Sequence, residues 1–221
     1  MKVLLVGQGY VGLPVSMAAV DAGFHVTGFD TDVNKTGTLA AGGSHVEDIA
    51  PSTVRAALDS GRYRAVSSAV ELDDFDVAVI TVPTPLTDGA PDLGAVEAAA
   101  AMVGGLLRTG GLVVLESTTW PGTTTEVVGP ILEAKSGLRA GIDFHLGYSP
   151  ERIDPVSYTH LRAHETVLDL VCRLLLDKKH NTSPSHKYRT DVWNLHIAAL
   201  TKRSSSASTP RTTIGQHATS T

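Results

Sequence analysis

At 221 residues, 42% hydrophobic and 19% charged, the chain can hold one sizeable α/β domain or two small ones. Its formal net charge of −5 is uneven: residues 1–155 carry 9 Lys and Arg against 19 Asp and Glu, a net −10, whereas residues 156–221 carry 9 against 4, a net +5. The acidic part is no nucleic-acid surface, the single cysteine, Cys172, excludes an internal disulfide framework, and no apolar run is long enough to span a membrane.

The first motif-bearing stretch, Val3 to Asp30, reads VLLVGQGYVGLPVSMAAVDAGFHVTGFD. A short apolar strand is followed by a turn through Gly7, Gly9 and Gly12, then a helix, then a second strand that ends at a carboxylate. Each part has a job in holding a dinucleotide. Gly7 permits a tight turn out of the strand, Gly9 removes a side chain where a pyrophosphate must approach the backbone, and Gly12 lets the helix pack closely. The helix N-terminus presents unpaired N–H groups and a partial positive charge to the phosphates. Asp30 stands where it can accept hydrogen bonds from the adenosine ribose hydroxyls, and a carboxylate there repels a 2′-phosphate. NAD is therefore expected over NADP. Tyr10 and Val11 fall in the turn and are read either as cofactor contacts or as packing over it. Pro14 is tolerated because the first helical turn needs no donor from it. The start MKVLLV resembles a secretory leader, but Gln8 and the glycines break the apolar run early and no cleavage context comes after it, so a cytoplasmic protein is expected.

Residues 31–43, TDVNKTGTLAAGG, predict a short helix capped by Thr31 or Asp32 and ended by Gly42 and Gly43. Lys35 on it stands near the adenosine end, as a cofactor contact or as a solvated lysine. His45, Glu47 and Asp48 come next in a polar loop, and without further ligands at matching spacing they make no metal site. Pro51 to Ser60 predicts a second short helix and Tyr63 to Val66 a strand. Asp76 to Val82, DVAVITV, is an apolar run suited to a parallel sheet covered on both faces. It ends in PTPLTDG, whose two prolines hold a stiff loop at the carboxyl end of the strand, where open α/β sheets bind ligands. Thr84 in that loop is a candidate cofactor contact.

Leu93 to Leu107 predicts an alanine-rich helix with Asp92 as N-cap. Gly110 and Gly111 lead into the strand LVVLE, which ends at Ser117, Thr118 and Thr119. Pro121 and Gly122 open a further helix that Pro130 kinks or breaks. Phe144 to Tyr148 predicts a last strand, followed by Ser149, Pro150, Glu151 and Arg152. The repeating strand–helix–strand order implies an α/β fold, a Rossmann-type doubly wound parallel sheet over residues 1–155. Hydroxyls and a carboxylate at successive strand ends then converge on one crevice.

VGQGYVGLP, GFDTDVNK, VPTPL, ESTTWPGTT and YSPERIDP occur in this order, and together they resemble the N-terminal domain of the UDP-glucose/GDP-mannose dehydrogenase family over residues 1 to about 155. The forms VPTPL, STTWPGTT and SPERIDP look closer to the branch acting on UDP-N-acetylglucosamine or UDP-N-acetylmannosamine. The resemblance implies oxidation of a sugar C6 hydroxyl to a carboxylate with two NAD. It implies a cofactor site lined by Gly7, Gly9, Gly12, Asp30, Lys35, Thr84 and Thr118, with Glu151 where cofactor, substrate and water meet. A carboxylate beside a threonine hydroxyl suits water positioning and general-base work, so Glu151 and Thr118 are the candidate catalytic residues. The plainer reading of Glu151 is a solvent-facing acid paired with Arg152. The family nucleophile is a cysteine in a glycine-rich context far downstream. Cys172, in LVCRLL, lacks that context and does not take the role. The helical dimer element and the UDP-sugar domain are missing too. A homo-oligomer acting on a UDP-sugar is thus expected of the intact enzyme, and an inactive monomer of this chain. Two other readings stay open: a stand-alone nucleotide-sensing module whose tail recruits a partner, and a Rossmann dehydrogenase of the hydroxyacid type.

After Pro155 the sequence resembles a translated sequencing-library adapter. Val156 to Thr166, VSYTHLRAHET, and Asp169 to Asp177, DLVCRLLLD, match its two constant blocks, with a barcode gap at Val167 and Leu168. Residues 156–221 are expected to be a non-native tail, partly helical or disordered. There His160 and His164 make no selected zinc site, and the positive charge makes no nucleic-acid surface.

Overall fold

The computed structural model describes residues 1–149 other than Asp88. Glu151, Cys172, the boundary expected at Pro155 and the tail lie outside the described residues. In chain order, Lys2–Val6 forms β1, Gly12–Asp21 α1, His25–Phe29 β2 and Val33–Ala40 α2. Pro51–Asp59 is α3, Tyr63–Val66 is β3, and a 3-10 turn at Ala69–Glu71 leads to β4 at Val77–Ile80. Leu86–Thr87 and Ala90–Pro91 are β5 and β6, Gly94–Leu106 is α4 and Leu112–Glu116 is β7. Gly129–Ser136 is α5 and His145–Ser149 is β8.

Six of these strands make one sheet in the order β3-β2-β1-β4-β7-β8, every neighbouring pair parallel. The chain works outward from β1 to β3, returns to the centre, and works outward again from β4. β1 and β4 therefore flank the switch point where such sheets open a crevice at their carboxyl ends. The two-residue alternation of the strands divides the core into two layers. Leu4 and Val6 of β1, Ala78 and Ile80 of β4, and Val113 and Leu115 of β7 face α4 and α5, packing on Val96, Ala100, Val103 and Leu132. Val3 and Leu5, Val77 and Val79, and Leu112 face the other way, packing with Leu13, Met17 and Val20 of α1, Leu39 of α2 and Val54 of α3. Burial on both faces is why these strands read as unbroken apolar runs.

One open alternative is decided and three local expectations change. Asp32, not Thr31, caps α2, its Oδ1 accepting from the Asn34 N–H at 2.9 Å and the Lys35 N–H at 3.4 Å. α4 begins at Gly94 with Leu93 at the N-cap, so the Asp92 carboxylate works one residue early, accepting from the Gly94 N–H at 2.8 Å. The loop after β4 folds on into a ribbon, Leu86 opposite Pro91 and Thr87 opposite Ala90. Strands of two residues are too short for alternation to register. Finally, the helix expected to open at Pro121 starts as a π-helical turn at Thr123–Val128, and α5 continues from it with Pro130 in its first turn. There the missing donor has no intrahelical partner to lose, so the proline divides the two segments without cost to either.

Candidate functional site

The site is built from the bottom of one turn. Val6 ends β1, and Gly7 leaves it at φ 96°, a left-handed conformation that favours glycine. Its N–H still bonds the Phe29 carbonyl at 2.8 Å, so the turn stays tied to the end of β2. A Cβ on Gly7 would lie 2.8 Å from the Thr81 carbonyl oxygen, and one on Gly12 would strike the Gly7 carbonyl and lie 2.6 Å from Thr81 Oγ1. Gly12 thus lets the first turn of α1 close on the glycine turn after β1 and on Thr81 after β4. Gly9 differs: a Cβ there meets no heavy atom within 4 Å. The absent side chain leaves open space beside the N-terminus of α1.

Asp30 comes directly after β2 and is nearly buried, at 9% exposure. Its Oδ2 accepts the Gln8 N–H at 2.9 Å and its Oδ1 the Asp32 N–H at 3.0 Å. The carboxylate is therefore aimed by the glycine turn, and its remaining lone pairs can take ribose hydroxyls. Lys35 Nζ stands 3.7 Å from Asp30 Oδ2, partly exposed at the same corner. Tyr10 is exposed at the mouth of the turn and Val11 half-buried at the start of α1. Glycine gap, helix N-terminus and anchored acid fit the adenosine diphosphate half of NAD.

At the other side of the switch point the strand ends are latched together. Ser117 Oγ donates to the Val82 carbonyl at 2.8 Å, Thr84 Oγ1 to the Thr118 carbonyl at 2.6 Å, and the Tyr148 hydroxyl to the Ser117 carbonyl at 3.3 Å. Thr84 and Thr118 are thus brought into contact, with the Thr118 side chain exposed. The line from Asp30 to Thr118 runs along the rim from β2 to β7, three strand spacings or about 14 Å. Glu151 lies outside the described residues, two positions beyond the end of β8.

A polar network behind the turn involves residues that sequence reasoning did not single out. Gln8 is fully buried. Its side-chain oxygen accepts from the Tyr63 hydroxyl at 2.8 Å and from Ser16 Oγ at 3.2 Å, and its Nε2 donates to the carbonyls of Leu5 and Gly7. Thr81 Oγ1 lies 2.9 Å from both the Val6 and Gly7 carbonyl oxygens. Burial, and secondarily the charge of Asp30, push the Tyr63 hydroxyl well above its ordinary pKa of 10.0. One signal was present in the sequence: Gly28, inside β2, is a residue that strand interiors avoid unless something approaches closely. Here that something is the Gln8 amide, 2.5 Å from where a Cβ would stand.

The model of the UDP-glucose/GDP-mannose dehydrogenase family, NAD binding domain, matches residues 1–167. A UDP-N-acetyl-D-glucosamine 6-dehydrogenase of Salmonella typhi is 39% identical over 164 residues, 72% of this chain and 37% of that protein. A UDP-N-acetyl-D-mannosamine dehydrogenase of Pyrococcus horikoshii is 33% identical over 156 residues, 70% of this chain and 37% of its own length. The solved structure of UDP-D-ManNAc dehydrogenase from Pyrococcus horikoshii superposes with a TM-score of 0.66 at 33% identity, again over 70% of this chain and 37% of that one. The chain thus spans little more than a third of the relatives it matches, and the part it spans is the dinucleotide-binding fold. On sequence, topology and glycine turn together, the chain belongs to the UDP-glucose/GDP-mannose dehydrogenase family and carries its NAD-binding domain.

Proposed function

We propose that the intact protein is an NAD-dependent dehydrogenase that oxidises the C6 hydroxyl of a UDP-N-acetyl-hexosamine to the carboxylate. The observation that supports its NAD-binding part is the open space at Gly9 beside an acid tethered to the adjoining Gln8 N–H. The substrate branch rests on relatives named for UDP-N-acetyl-D-glucosamine and UDP-N-acetyl-D-mannosamine. When bound, NAD supplies the hydride acceptor. The chain's own residues do the holding: Asp30 takes the adenosine ribose, Lys35 stands beside that acid, and Gly7, Gly9, Tyr10, Val11 and Gly12 form the phosphate turn. Thr84 and Thr118 line the path toward the reacting end. Glu151, with Thr118, positions water and substrate and accepts a proton during hydrolysis. The nucleophilic cysteine, a homo-oligomeric assembly and a cytoplasmic setting belong to the same proposal for the intact enzyme.

The boundary at Pro155 belongs to it as well. The motif-bearing sequence runs through YSPERIDP, and residues 156–177 have the form of an adapter translation. Sequencing the source DNA across the Pro155 codon, and assaying the protein with the continuation found there, tests the whole reading. A glycine-rich cysteine motif and NADH formation from a UDP-N-acetyl-hexosamine are expected. Recovery of the same tail from clean DNA, or turnover of hydroxyacids in place of UDP-sugars, would overturn it.

A further inference from the structure

His45 makes a polar contact that the cofactor reading leaves unused. Its Nε2 lies 2.7 Å from the Gln8 carbonyl oxygen. A carbonyl only accepts, so Nε2 carries the proton. Nδ1 is buried and, among the described residues, has no hydrogen-bond partner. The bond to Gln8 is thus the one polar contact that the ring makes there. The loop that presents it is anchored on both sides. Gly43 N–H bonds the Thr38 carbonyl at 2.9 Å, Ser44 Oγ bonds the Val46 carbonyl at 2.9 Å, and Val46 itself is buried in the core with Leu39 and Val54.

Gln8 is where the two halves of the turn meet. Its N–H is fixed by Asp30 and its carbonyl by His45, so the peptides on both sides are pinned. A trans peptide is planar, and its C=O and N–H point opposite ways. Holding the Gln8 carbonyl on the imidazole therefore aims the Gly9 N–H away from it. Gly9 is also where the protein leaves open space. We propose that His45 is a positioning residue of the phosphate turn, setting through the Gln8 carbonyl the direction in which the Gly9 N–H meets the dinucleotide's diphosphate. The inference rests on the NAD reading and adds to it a residue from the loop after α2.

The test compares NAD, ADP-ribose and adenosine binding to the full chain and to three variants. His45→Phe keeps a ring without a donor, His45→Gln keeps a donor at similar reach, and His45→Asn keeps a donor one methylene too short. In the Phe and Asn variants, affinity for NAD and ADP-ribose should fall by roughly fivefold while adenosine binding holds, and Gln should restore it. A general loosening of the fold would move all three ligands alike. If the Phe variant does not fold, Gln against Asn decides. Equal NAD affinity in the wild type and in a folded variant without reach, or a loss shared by adenosine, overturns the assignment. A wild-type chain that binds no NAD overturns the cofactor reading and this inference with it.

Discussion

Gly9 and Gly12 sit three residues apart in one turn, yet a methyl group added at Gly12 collides with the Gly7 carbonyl, while one added at Gly9 meets nothing within 4 Å. The two glycines therefore fail differently. Gly9→Ala should leave stability within about 0.5 kcal/mol of the wild type and weaken NAD roughly tenfold or more, because the methyl occupies ligand space. Gly12→Ala should destabilise by about 1–3 kcal/mol through overpacking. Urea unfolding and calorimetry on both variants check the contrast; a Gly9 variant with undiminished NAD affinity would contradict it. Tyr63 gives a second residue-scale expectation. Its hydroxyl is held protonated by burial first and by Asp30 second, so its folded pKa is raised above 10.0. The stabilisation is fully present below that unfolded value and is lost progressively as the pH climbs from it through the raised folded value, since the unfolded tyrosine ionises first. Unfolding curves should show wild-type stability falling above pH 10 more steeply than that of Tyr63→Phe. At neutral pH the variant should be weaker by about 0.5–1.5 kcal/mol, the worth of its bond to Gln8.

At the scale of elements, β2 is shaped by what lies over it. A Cβ on Gly28 would stand 2.5 Å from Gln8 Oε1 and 2.9 Å from the Tyr63 hydroxyl, and both side chains are buried. Gly28→Ala should cost about 1–3 kcal/mol. Gln8→Ala removes the obstacle, so the double variant should be less destabilised than the sum of the singles, and strict additivity would refute the contact. The elements themselves were legible in the sequence where a pattern repeats: the apolar runs of β1, β4 and β7, the glycine turn, and the acid closing β2. Asp30, Thr84 and Thr118 could be placed because strand ends at one rim of a parallel sheet converge. The ribbon of β5 and β6 and the π-helical turn were not legible, since neither is long enough to imprint a period. Nor was the network of Gln8, Asp30, His45 and Tyr63. Those residues are up to 55 positions apart, and only the folded sheet brings them together.

For the whole molecule, the two ends of the sheet do different work. At the amino-terminal rim, Asp74 joins Lys2 at 2.7 Å and Arg108 at 3.0 Å, an exposed cluster that ties the start of β1 to the loops before β4 and β7. The Lys2 hydrogen bond foremost holds the Asp74 carboxyl below its usual range, but exposed pairs of this kind contribute little to stability. The carboxyl-terminal rim carries the glycine turn, the anchored acid and the latched threonines. In the proposed function a dinucleotide laid there sets its adenosine half against Asp30, whose charge would oppose a 2′-phosphate on the ribose. Titration calorimetry of the full chain and of Asp30→Asn with NAD and with NADP tests this most directly. The wild type should bind NAD at least about tenfold more tightly than NADP, and the substitution should weaken NAD and narrow the gap. Equal affinity for the two cofactors, or folded protein that binds neither, would contradict it.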